Sequence, residues 1–196
     1  MMKQSILITI LSAVILIVCI IGCIFAMENN KMKKRKKDYK EYEETLALVE
    51  VVNQKSDFGG LKLLEYSDKT VGKSQPYKTS DILPNFSEEA PDGIDGIYFS
   101  YPYNSNDYRL ANICISKPPY HLYGITVGQR FNDAKTVIED KGFTQHEINF
   151  DDDVDFILYK QNHVSVNFKV SKDDNRIISS ITISVYDKED DSIYLR

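Results

Sequence analysis

Tryptophan is absent from the chain, histidine occurs three times, and only three cysteines are found in 196 residues. Each scarcity excludes a class of chemistry. Cys19 and Cys23 lie within one apolar run and Cys114 sits far away in a strand-like stretch, so neither a disulfide framework nor a metal-ligand spacing can be assembled. His121, His146 and His163 fall on separate elements with no Cys or Glu at ligand spacing, and they read as surface or turn histidines.

Complete catalytic motifs are missing as well. Val71-Gly72-Lys73-Ser74 matches the end of a phosphate-binding loop, but the first glycine of that motif would fall on Ser67, and without it the backbone cannot easily wrap phosphates. Asp151, Asp153 and Asp155 imitate the start of a calcium loop. Phe156 stands where that loop needs glycine, and Asn162 where it needs glutamate. An acidic hairpin loop is the better reading. No serine sits in a nucleophile-elbow context, and no carboxylate pair is discernible. The expectation is a non-enzymatic chain with no cofactor and no metal.

Apolar residues make up 42% and charged residues 27%, a globular balance rather than a disordered one. The net charge of −5 conceals a division, because Lys31–Lys37 is almost wholly basic while the remainder is acidic. An acidic domain argues against nucleic acid, whose binding depends on neutralising phosphates.

What is abundant lies first at the N-terminus. Ser5 to Met27 carries no charge, and as a helix it would reach about 34 Å, enough for a hydrocarbon core of about 30 Å. This reads as a single-pass transmembrane helix or signal anchor over residues 1–27, followed by a basic juxtamembrane collar at 28–37 and one domain at 38–196. Within the collar, Lys33, Lys34, Arg35, Lys36 and Lys37 are placed to contact lipid headgroups. A competing reading makes Ile20-Ile21-Gly22-Cys23 a lipobox, with Cys23 lipidated and the preceding residues removed.

Residues 38–53 read as a helix with Tyr39, Tyr42, Leu46, Val49 and Val52 on its apolar face, broken at Phe58-Gly59-Gly60. Leu61–Tyr66 reads as a strand, and Ser67–Asp95 as loop. Period-two alternation at Ile97, Phe99, Tyr101 and at Ala111, Ile113, Ile115 predicts one antiparallel hairpin. A second is predicted from Val164, Val166, Phe168, Val170 and from Ile177, Ile181, Ile183, Val185, with its turn at Lys172–Asn175. A helix is expected from Asn132, as its cap, to Lys141. Gly142 would end it, and Phe131, Ala134, Val137 and Ile138 would form its buried face. Strands at 146–150 and 156–160 follow. Asn112–Ser116 lines up with Ser180–Ser184, which suggests two degenerate αβββ units at 38–117 and 122–196. The fold class expected is α+β, an antiparallel sheet with helices on one face.

Gly124-Ile125-x-x-Gly128, a helix carrying Ala134 and Ile138, Gly142 at its end and a strand meander together resemble the repeat of SmpA/OmlA (BamE)-like envelope lipoproteins and of the β-lactamase-inhibitor-protein fold. The resemblance covers residues 122–186. It implies action by protein–protein contact in the bacterial envelope, outside the cytoplasm. The positive-inside rule applied to the collar puts the domain in the cytoplasm instead, and the sequence supports both sides. Tyr98, Tyr101, Tyr103, Tyr108, Tyr120 and Tyr123 crowd one window and form a candidate partner-binding face. The function expected is a membrane-anchored protein-binding or assembly module. The alternative is an inhibitor or immunity-type protein that blocks a cognate enzyme or toxin.

Overall fold

The computed structural model describes residues 2–65, 91–100, 108–173 and 175–186, with side chains described for 19–65, 91–94, 109–173 and 175–186. The chain divides into two compact units, Met1–Glu43 and Glu44–Arg196. The first unit is helical. Helix α1 runs unbroken through Met2–Lys55, so its last three turns belong to the second unit. Among the described residues no helix is long and apolar enough to cross a membrane. Ser5–Val18, where most of the uncharged run lies, is outside the residues with described side chains.

The second unit is α+β. After α1 come β1 (Ile94–Ser100), β2 (Tyr108–Ile115), the short strands β3 (His121–Leu122) and β4 (Ile125–Thr126), helix α2 (Phe131–Asp140), then β5 (Thr144–Phe150), β6 (Val154–Gln161), β7 (Val164–Ser171) and β8 (Ile178–Val185). Six strands form one antiparallel sheet in the order β1-β2-β8-β7-β6-β5, and β3 pairs with β4 in a separate ribbon. Both hairpins read from alternation are present. They meet where β2 lies beside β8, with Ile113 opposite Ile183 and Ile115 opposite Ile181.

Register explains the core. Opposed residues share a face, and the row Ile113, Ile183, Val166 and Tyr159 crosses four strands with every member fully buried. The adjacent row of Ile115, Ile181, Phe168 and Ile157 is buried in the same way. Helix α2 covers this face. The Phe131 ring meets Phe168 edge-on at 5.8 Å, and Ala134 and Ile138 are wholly buried. The opposite face is lined by small polar side chains: Asn112, Ser184 and Ser165 form one cross-strand row, and Cys114, Thr182 and Asn167 the next.

Helix α2 starts one residue before its expected cap. Arg130 occupies the N-cap position without a side-chain cap bond, and Asn132 lies inside the helix. The β7–β8 turn replaces the cap, because the Phe131 N–H donates to the Arg176 carbonyl at 2.9 Å. At the other end Gly142 adopts φ +90°. Its N–H donates to Glu139 O at 2.9 Å and the Phe143 N–H to Ile138 O at 3.4 Å, the paired bonds of a Schellman ending, with Phe143 and Ile138 both buried.

Two expected elements are corrected. The buried stripe at the end of α1 is Thr45, Val49 and Val52, spaced by four and three residues, whereas Tyr39 is 63% and Leu46 39% exposed. Leu61–Glu65 is a turn rather than a strand, with Leu64 at φ +61°. Asn53 holds it in place. Its amide donates to the Leu63 carbonyl at 3.0 Å and its oxygen accepts the Leu63 N–H at 2.9 Å, satisfying a backbone that would otherwise need a ladder. Val71–Ser74 and Tyr66 lie outside the described residues.

Candidate functional site

From Cys19 to Lys37 every residue of α1 is exposed. The chemistry changes along the helix axis rather than around it. Ile20, Ile21, Ile24, Phe25 and Met27 are 46–63% exposed, and at about 100° per residue they and their neighbours Cys19, Cys23 and Ala26 occupy the whole circumference. Cys23, the candidate lipidation site, is an exposed free thiol here, one turn from exposed Cys19. Lys33, Lys34, Arg35, Lys36 and Lys37 then follow in unbroken succession. Five consecutive residues sweep about 400°, so the cations form a ring rather than a stripe.

The tyrosines separate into two groups. Tyr101 and Tyr103 lie outside the described residues, and Tyr98 and Tyr108 are described only as strand backbone, where Tyr98 pairs with Leu110 and Tyr108 with Ser100. Tyr120 and Tyr123 are half-buried. Tyr123 and Gly124 are the two loop residues of the β3–β4 hairpin, at φ +53° and +83°, as a type I′ turn demands. The Tyr123 ring lies edge-on to Phe143 at 6.5 Å, with Lys141 Nζ 5.7 Å from its centroid. Burial pushes the Tyr123 phenol up to about 12.

The histidines do different work. His121 Nδ1 accepts the Gly124 N–H at 3.1 Å, and the His121 backbone pairs with Asp57 just beyond α1. His146 is exposed. His163, expected at the surface, is buried. Its ring stacks on Tyr186 at 6.0 Å, and its backbone N–H points to the Thr45 hydroxyl at 3.4 Å. That contact gives a buried threonine hydroxyl something to accept from, which explains its place in an apolar stripe.

Asp151, Asp152 and Asp153 form the exposed β5–β6 turn, while Asp155 leaves them for the core face. Its Oδ2 accepts from Arg176 Nη2 at 3.1 Å, and Lys172 Nζ is 3.9 Å from Oδ1. Arg176 also lies 5.3 Å over the Phe131 ring. The cluster ties the β7–β8 turn to β6 and to the start of α2. Its sequence signal was the alternation Asp155, Ile157, Tyr159. Among the described residues no three His, Cys, Asp or Glu side chains converge to hold a metal ion.

Tyr159, fully buried, directs its hydroxyl toward Glu139 Oε1 and Gln145 Oε1, each at 3.4 Å. Burial first, and the Glu139 carboxylate second, push this phenol up to about 12. It holds α2 to β6 and β5.

Strand β5 is an edge of the sheet and, among the described residues, pairs with β6 alone. No residue in it is buried, and Phe150 at its end is 74% exposed with Lys172 Nζ 5.8 Å from the ring centroid. An exposed edge offers a row of backbone donors and acceptors to an incoming strand. Nothing in the sequence singled out this edge, because strand order is a long-range property. No family model, curated protein or solved structure matches the chain in comparisons with known proteins.

Proposed function

We propose that the chain is a membrane-anchored, non-enzymatic module that holds a protein-binding α+β domain beside a bilayer. The supporting observation is the axial order of α1, in which exposed apolar residues on all sides are followed by a ring of exposed cations. A helix lying flat on a membrane divides its polar and apolar residues across the axis. A helix that enters the membrane divides them along it. Ser5–Met27 is then the spanning segment and Cys19–Met27 its end nearest the domain. The positive-inside rule assigns the domain to the cytoplasm, so protease added to intact cells should leave it whole.

The docking element in this reading is the β5 edge, and the occupant is an extended strand of a protein partner. The edge is open along its length among the described residues, and Phe150 supplies an apolar anchor at its end. The buried ionisable groups nearby are engaged in holding the fold, Asp155 by Arg176 and Tyr159 by Glu139, which favours a scaffold over a reaction centre. A photo-crosslinking residue placed at Phe150 in cells should yield one discrete adduct whose partner peptide is extended. The same residue at Leu46 should yield none. No adduct from Phe150, or equal adducts from both positions, would reject the β5 edge.

A further inference from the structure

We infer that the cationic ring Lys33–Lys37 is a binding site for the phosphate headgroups of anionic phospholipids, a conclusion that rests on the membrane-anchor reading above. Between Glu28 and Lys40 the helix carries Lys31, Lys33, Lys34, Arg35, Lys36, Lys37 and Lys40 against only Glu28 and Asp38 as anions. The five consecutive members are all exposed, and being successive on one helix they point outward in every direction.

That geometry selects among phosphate sources. A groove or one-sided cationic stripe suits a nucleic-acid backbone, which lies along one face. A ring suits a plane of headgroups pierced by the helix, because each side chain then meets a different lipid. Long Lys and Arg stems can reach back toward the membrane while their heads stay in the phosphate layer. The ring also starts within two turns of the last exposed apolar residue of the run, Met27, so phosphates above a hydrocarbon core that ends there lie within reach. A cation near an anionic membrane surface contributes about fivefold in affinity, and salt screens it.

The test uses the full chain. Flotation with neutral phosphatidylcholine vesicles reports the anchor. Binding of phosphatidylglycerol and of phosphatidylcholine to the detergent-solubilised protein reports the ring. Phosphatidylglycerol should bind about tenfold or more tightly than phosphatidylcholine at low salt. That preference should collapse at high salt and vanish in the variant K33Q/K34Q/R35Q/K36Q/K37Q, which should still float. Equal binding of both lipids, or a preference that survives in the variant, overturns the headgroup site and leaves the anchor standing. Failure of the wild-type chain to float overturns both. Inorganic phosphate or a short single-stranded RNA binding as tightly as phosphatidylglycerol would assign the ring to another phosphate source and overturn the lipid assignment.

Discussion

Helix α1 uses one backbone for two different purposes. From Cys19 to Lys37 it buries nothing, and its residues are sorted along the axis. From Glu44 to Lys55 it buries a stripe of three, Thr45, Val49 and Val52, with Leu48 and Asn53 half-buried beside it. The first pattern is the one the proposed anchor would require, a surrounding medium that itself changes from apolar to polar. The second needs only the remainder of its own domain. Amphipathicity across the axis is the pattern of packing, and the proposed anchor rests on sorting along the axis instead.

The sharpest way to break this comparison is to place a charge in the packed stripe. Val49→Asp buries an unpaired carboxylate and should destabilise the domain by about 4 kcal/mol or more, enough to abolish a cooperative denaturant transition. A transition left intact would show that the stripe is not packed. Arg176→Ala should be next in size. It leaves the nine-tenths buried Asp155 carboxylate with Lys172 as its remaining cation, costing about 2 kcal/mol after allowance for the part-exposed guanidinium, read from the shift in denaturation midpoint.

A smaller effect is expected from Tyr159→Phe. In the native protein this phenol ionises near 12 rather than the usual 10, so the unfolded chain releases its proton first as pH rises. Its stabilising contribution is complete below about pH 10 and is lost between about pH 10 and 12. The variant should match the wild type to within about 1 kcal/mol at neutral pH, and its alkaline loss across that window should be shallower. Leu46→Asp, on the exposed side of the same helical turns as Val49, should change stability by no more than about 0.5 kcal/mol. A large effect there would move Leu46 into the packed stripe.

Legibility followed the range of the interactions. Gly142 and the Lys172–Asn175 turn were readable because their signals are local. One is a left-handed position that a side chain resists, where a Cβ would also come within 3.0 Å of Gln161. The other is a carboxylate, Asp173, that accepts the N–H groups of Asn175 and Arg176 at 3.1 and 2.9 Å. Strands β2, β7 and β8 were readable because alternate residues are apolar and buried.

Long-range substitutions for local rules were not readable. The N-terminus of α2 is satisfied by the Arg176 carbonyl instead of Asn132, and Leu63 is bonded by the Asn53 side chain instead of a strand. Thr45 is buried where Leu46 was expected, because the His163 N–H arrives from β7's hairpin to meet its hydroxyl. One member of the candidate tyrosine face is placed by a contact of the same kind. Tyr123 looked like surface from composition, yet its φ and its contact with Phe143 commit it to a turn. The β5 edge became visible only from strand order.

The measurement that tests the central claim most directly is the partition of the full chain after ultracentrifugation of lysed cells, with an alkaline carbonate wash. The axial order of α1 predicts a pellet-bound protein that carbonate leaves in place and detergent releases. Full-length protein recovered in the supernatant without detergent would contradict it, and the docking and headgroup assignments would fall with it.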